Sequence, residues 1–509
     1  MPAAVRLTAT ADRPAEQLAP PRGVRRLAAG LDPLVRSSLV TMAGTVVSAG
    51  LGYVYWLVVA RLAPPAEVGY ASGEMSLITG LSLFTNMGVC GFVVERLPSL
   101  EGRRAWARLL KRTIWPTSML SAAVTGVVEA VLLASGGHAA GRGPLTVVVT
   151  AVAALGLTFF TVLTFVFISA RRAELSLALG AALGVAKLVT LPGYLLFAGG
   201  PGGAETLTRM WALAVVVACA FGALVLLPRA RLGRLGSPSV RRWNVPDLRS
   251  VAGHHLTSVG GLMVPYLLPT LVIYRLDAVS NAYFYATWMF GSIFFMISPA
   301  VESSLFVEGV RDGDRLGAAT RRALRLLGLL LPLPVLAAVV GGRFGLLVFG
   351  PEYARHGHLL LALLAIAALP DAVTNVGVGV LRATGALRWS SVLNVAMGAV
   401  TLVGAWWLLP RLGIAGAGVA WLLAQSLGAL GVSPMLVRAV RGRPTRRAPG
   451  AAAVLAPAAV PTPGAVRPGP RHGRPASHRG GLAAGRRRQA PVTDGREAGS
   501  HWWTTQLLP

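Results

Sequence analysis

Charge is scarce in this chain, and acidic charge most of all. Of its 509 residues 13% are charged, with 20 Asp and Glu against 48 Lys and Arg, while 54% are hydrophobic. A soluble domain of that length needs far more polar surface to cover its core, so a water-soluble globular protein is excluded. Cysteine is nearly absent too. Cys90 and Cys219 both fall in apolar stretches, which excludes a disulfide framework. No metal-ligand cluster, glycine-rich phosphate loop or nucleophile motif is present. Nearly all cations are arginine, which a GC-rich coding bias explains as readily as any chemistry does.

What the chain has instead is length in apolar runs. Crossing a bilayer takes roughly 20 apolar residues in a helix, because lipid offers the backbone no hydrogen bonds. Such runs occupy 38–60, 69–94, 113–134, 145–170, 174–198, 206–228, 252–274, 281–307, 323–349, 357–381, 389–409 and 413–437. The expected fold is an all-α polytopic membrane protein of about twelve transmembrane helices. Whether 341–350 re-enters the membrane or sits at its surface is left open by sequence.

A net charge of +28 invites nucleic-acid binding, but the placement of the cations argues against it. Alternate loops hold them: Arg103, Arg104, Arg108, Lys111 and Arg112; Arg171 and Arg172; Arg229 to Arg249; Arg321, Arg322 and Arg325; Arg382 and Arg388. The opposite loops carry only scattered cations. That is the positive-inside pattern, and it puts both termini in the cytoplasm. The expected organisation is a basic N-terminal segment at 1–37, an N-lobe at 38–228, an inter-lobe loop at 229–251, a C-lobe at 252–437 and a tail at 438–509. The first segment has no h-region, so no cleavable signal peptide is expected. The tail is rich in Pro, Gly, Ala and Arg. Such a segment cannot bury enough apolar surface to order itself, although its cations suit anionic lipid headgroups.

The two halves repeat. Arg61-Leu62, Tyr70, Val94-Glu95 and Arg112 recur as Arg275-Leu276, Tyr283, Val307-Glu308 and Arg325, at an offset of 213 or 214. Each half holds an even number of spans and so runs the same way through the membrane. The result is two six-helix lobes related by a pseudo-two-fold along the membrane normal, with a site expected between them near the midplane.

Several loop-level stretches carry a resemblance. They are Ala60-Arg61-Leu62-Ala63-Pro64-Pro65-Ala66-Glu67-Val68-Gly69-Tyr70, Val94-Glu95-Arg96-Leu97-Pro98, Phe349-Gly350-Pro351-Glu352-Tyr353, Leu381-Arg382-Ala383-Thr384-Gly385 and Arg411-Leu412-Gly413-Ile414-Ala415-Gly416-Ala417-Gly418-Val419-Ala420. Over most of 37–437 the chain resembles polysaccharide flippases of the multidrug/oligosaccharidyl-lipid/polysaccharide exporter superfamily. The resemblance implies alternating access that moves a polyprenyl-diphosphate-linked oligosaccharide to the outer leaflet of a bacterial plasma membrane. It implies a non-enzyme without cofactor or metal, acting as a monomer among membrane lipids, alongside other polysaccharide-assembly proteins and with no nucleic-acid partner. No strict catalytic motif comes with it.

A flippase needs cations in its lumen for the diphosphate, rings for sugars and helices that bend. Lys187, in mid-span after Gly180 and Gly184 on one helical face, is the sharpest candidate. Charge at that depth costs at least about 2.5–3.5 kcal/mol and rarely faces lipid. Two readings stay open: a lumenal site for the diphosphate, or an ion pair with Glu74 or Glu129. Arg61 and Arg275, at equivalent outer helix ends, suit either an exit-side anion site or simple snorkelling. Tyr53 and Trp56 in span one, with Tyr285 and Trp288 in span eight, are the candidate sugar-stacking rings, although aromatic belts are common. Glu74 and Asp371, the latter one turn from Asn375, are the carboxylates that suit ion coupling. Pro265 and Pro269 mark a kink in span seven.

Two other functions compete, and a lipid II flippase is a narrower form of the flippase reading itself. Cation-coupled drug exporters of the same superfamily tend to carry an acid in the first helix, and 38–60 has none. A lipid II flippase generally has fourteen helices. A polysaccharide polymerase or ligase needs a long external loop for its catalytic groups, and every external loop here is short.

Overall fold

The computed structural model describes residues 33–97, 102–135, 143–197, 203–230, 264–311 and 316–441. Most of the expected N-terminal segment, inter-lobe loop and tail lies outside the described residues. Those described form a helical bundle. Its N-lobe comprises α1 (Pro33–Leu62), α2 (Pro65–Arg96), α3 (Gly102–Ala134), α4 (Leu145–Ser169), α5 (Ala173–Leu196, broken at Leu191) and α6 (Gly203–Arg229). The C-lobe comprises α7 (264–275), α8 (Ala278–Arg311), α9 (Leu316–Leu346), α10 (Pro351–Ala383), α11 (Leu387–Leu412) and α12 (Ala415–Val440). Ten of these are long and apolar enough to cross a membrane, and α2 makes the eleventh when its two halves count as one span. The twelfth, α7, is described only from 264 and runs helically through Pro265 and Pro269. The stretch 341–350 does not re-enter: α9 continues to Leu346 and a short turn follows.

Local chemistry places the boundaries. Pro65 begins α2 at a position where a missing N–H costs nothing. Asp277 caps α8 by accepting from the Ser280 amide at 2.7 Å. Leucines such as Leu196, Leu224 and Leu329, each more than three-quarters exposed, point away from the bundle, as a lipid-facing surface requires.

The repeat read from sequence is visible in the packing. In the N-lobe α2 packs on α4, α3 on α4, α4 on α6 and α5 on α6; in the C-lobe α8 packs on α10, α9 on α10, α10 on α12 and α11 on α12. Between lobes the main seam is α2 against α8.

Among the described residues that seam is closed at one end of the molecule only. A single core, built from both lobes, fills the end that carries the sparsely charged loops; it includes Tyr55, Val59, Val68, Ile78, Tyr194, Val272, Phe284, Phe349 and Ala417. Toward the Arg-rich end that core divides. Cys90, Phe92, Trp106, Leu163, Phe167 and Leu179 form one inner core in the N-lobe. Leu305, Phe306, Leu327, Val376, Val380 and Leu436 form another in the C-lobe. The lobes thus make a V that opens toward the Arg-rich end. Both seam helices break where the joined core gives way: α2 bends by 50° between Asn86 and Gly88, and α8 tightens into a 3₁₀ turn at Ser292–Met296.

Candidate functional site

Lys187 lies at the interface of α5 with α1, beside the joined core. It sits on α5, and its Nζ is 6.0 Å from the centroid of the Tyr55 ring. Tyr55 is the innermost α1 residue of the joined core. Val185 and Val189 on the same helix are 50% and 70% exposed. At 100° per residue those two valines lie about 160° to either side of Lys187, so the lysine faces away from lipid. The two glycines before it are spent on packing: a Cβ on Gly180 would lie 2.4 Å from Ser48 Oγ, and one on Gly184 would lie 2.6 Å from Leu51. They let α1 and α5 meet closely enough to bring Lys187 over Tyr55. Among the described residues Lys187 makes no ion pair. Glu74, offered above as its partner, accepts from Thr208 Oγ1 at 2.8 Å.

From Tyr55 a line of rings crosses the lobes. Tyr55 meets Trp56 edge-on at 5.3 Å, and Trp56 meets Tyr285 of α8 at 4.8 Å. Tyr53 contacts Phe349 at 5.4 Å and Phe290 at 6.4 Å. Of the four expected sugar-stacking rings, Trp56 and Tyr285 therefore meet across the seam, and Tyr53 crosses it to pack on Phe290 and Phe349. The fourth, Trp288, is buried in its own lobe against Trp421 and Phe284. As placed here, these rings act as a seal beside Lys187.

The two arginines expected to be equivalent are used differently. Arg61 reaches across to the C-lobe, donating from Nε and Nη2 to the carbonyl of Val348, at 2.9 and 2.7 Å, and from Nη2 to that of Leu347 at 3.0 Å. Arg275 stays within its lobe, stacked over Trp406 at 4.4 Å and donating to the Trp406 carbonyl at 3.1 Å. Neither contacts the Lys187 region.

Asp371 and Asn375 do share a face, as their spacing indicates, and Ser298 of α8 joins them. The Ser298 hydroxyl donates to Asp371 Oδ2 at 2.5 Å, and Asn375 Nδ2 lies 3.2 Å from Ser298 Oγ. One turn further along α8, Glu302 is fully buried and takes Arg382 Nη1 at 2.9 Å; the Arg382 side chain is 8% exposed. Sequence reasoning missed this pair. An acid within an apolar span was the available signal.

The small-residue face of α2 was also missed. A Cβ on Gly69 would lie 1.7 Å from the Ala278 carbonyl oxygen, and one on Gly73 would lie 2.2 Å from Ile273 Cδ1. Buried Asn281 donates to the Gly69 carbonyl at 2.7 Å and lies 3.2 Å from Ser72 Oγ. Gly69 and Gly73, four apart, are a small-xxx-small pattern that the sequence displays openly.

With this geometry in hand, solved structures give a clear match. An inward-facing multidrug resistance MATE family transporter of the MOP superfamily superposes with a TM-score of 0.59 at 15% identity, over 79% of this chain and 99% of its own. This is the fold of MOP-superfamily transporters. A second MOP-superfamily transporter, from Pyrococcus furiosus, whose binding pocket is described as reversed in polarity, gives 0.55 at 15% identity over 84% and 99%. An outward-facing MATE transporter gives 0.53 at 14% identity over 83% and 99%. No protein-family model matches the sequence, and no curated protein shows significant similarity to it.

Proposed function

We propose that this chain is a transporter working by alternating access, and that its cargo is a lipid-linked glycan carrying an anionic diphosphate. The Arg-rich end is taken as cytoplasmic, on the positive-inside rule; the V is then open inward and sealed outward. The observation that carries this proposal is Lys187. A mid-span cation that has no carboxylate partner among the described residues and is turned from lipid beside the joined core of the two lobes suits an anionic headgroup brought in from the cytoplasmic leaflet. The glycan and diphosphate travel through the cleft while the polyprenyl tail stays in hydrocarbon. The aromatic seal parts to release the headgroup outside, and only then do Tyr53, Trp56 and Tyr285 become free to stack on sugars. Asp371 and Glu74 are assigned to ion coupling, and Arg275 to a secondary, exit-side role. The site of action is a bacterial plasma membrane, with both termini cytoplasmic and the monomer as functional unit.

One observation favours a second function. The buried carboxylate Asp371, held by the Ser298 hydroxyl rather than by a cation, is suited to a coupling cation, as a cation-driven drug exporter of the same fold requires. Proteoliposomes distinguish the two. Protein-dependent flipping of a polyprenyl-diphosphate oligosaccharide supports the flippase. Absence of flipping, with gradient-driven efflux of small cationic drugs, gives the protein to the exporters.

A further inference from the structure

The outer seal is held by groups of two kinds. Ring packing brings α1 against α8, and close approach at Gly69 and Gly73 brings α2 against α8 and α7. Arg61 adds something different. Its guanidinium spans from the end of α1 to the turn after α9, to carbonyls 286 and 287 residues away in sequence. Those carbonyls belong to the C-cap of α9 and the residue after it, just past the helix end, where backbone acceptors lack intrahelical partners and a cation is favoured. A planar guanidinium can serve two such acceptors at once, whereas an ammonium acts as a point charge. All three bonds run between lobes, so they exist only while this end is shut.

The repeat supplies an internal contrast. Arg275 stands at the matching position, 214 residues on, yet its contacts are with Trp406 of its own lobe. They persist whether or not the lobes part at the outer end.

We propose that Arg61 is a one-sided latch on the outer gate: its bonds to Leu347 and Val348 hold the inward-open state, and their release is required for the outward-open one. It rests on the alternating-access part of the function proposed above, and is independent of the cargo. Three hydrogen bonds to backbone carbonyls, each weakened by exposure, make a shift in population of about tenfold the expected scale.

The test is a distance distribution between spin labels at Val148 and Leu412, exposed residues at the outer ends of α4 and α11. Labels are placed in full-length protein carrying Cys90→Ala and Cys219→Ser, and only variants that elute monodisperse are compared. Arg61→Ala is expected to raise the long-distance, outward-open fraction about tenfold over the parent. Arg61→Lys, keeping charge and losing the fork, should fall between them, and Arg275→Ala should leave the distribution unchanged. An unchanged distribution in Arg61→Ala, or an equal shift in Arg275→Ala, overturns the latch. No substrate is present, so failure of glycan transport leaves this result standing and failure here leaves the cargo question open.

Discussion

The two lobes share a packing plan and differ in how they hold polar groups inside the membrane. At the C-lobe seam between α8 and α10, charge is tied down: Asp371 to Ser298, and Glu302 to Arg382. At the corresponding N-lobe seam, hydroxyls do the linking. Ser121 of α3 lies 3.4 Å from both Ser82 Oγ of α2 and the Ala154 carbonyl of α4. The mid-membrane cation of the N-lobe, Lys187, is left over a ring rather than a carboxylate. Duplication thus preserved the shape while the chemistry diverged. A charge already paired in a low-dielectric interior is costly to disturb and serves the scaffold, whereas a charge held without a partner remains available to a ligand.

The contrast breaks most visibly at Arg382. Arg382→Ala leaves Glu302 buried without its counter-charge and should cost about 3–5 kcal/mol, read as a fall in thermal stability in detergent. Replacing both residues by leucine should recover most of that loss. A single variant as stable as the parent would mean that the pair does not hold this seam together.

Serine at each seam gives a sharper and smaller test. Ser298→Ala removes a short hydrogen bond to a carboxylate and should cost about 1.5–3 kcal/mol. Ser121→Ala removes two long contacts to neutral groups and should cost about 0.5–1.5 kcal/mol. Equal losses in denaturation would erase the distinction drawn between the lobes. The smallest effect is expected outside both. Ending the chain after Arg441, just beyond α12, should leave transport within about twofold of the full chain, because the chemistry is confined to the lobes. A well-expressed truncation that fails to transport would make the tail a working part.

Much of this was legible before any coordinates. Hydrocarbon forces each spanning segment to satisfy its own backbone, so spans announce themselves by length and hydropathy. The repeat followed from Arg61, Tyr70, Arg275 and Tyr283 at constant offset. Lys187 was conspicuous because its depth is expensive. Other features were hidden for physical reasons. Arg61 bonds to backbone carbonyls, which have no letter in the sequence. Glu302 stands inside an apolar span, but its partner is on another helix, and Arg382 was counted among loop cations although α10 extends to Ala383. The meeting of Trp56 with Tyr285 depends on which end of the V is shut, a conformational choice that residue types do not encode individually.

The central claim is that Lys187 receives the anionic headgroup. Flipping of a polyprenyl-diphosphate oligosaccharide in proteoliposomes tests it most directly, comparing parent, Lys187→Arg and Lys187→Ala at matched protein density. Loss of one charge contact to the diphosphate should slow Lys187→Ala at least about tenfold, equivalent to about 1.4 kcal/mol, while Lys187→Arg retains most of the rate. Parent-like flipping by a well-folded Lys187→Ala would contradict the account and place the anion site elsewhere between the lobes.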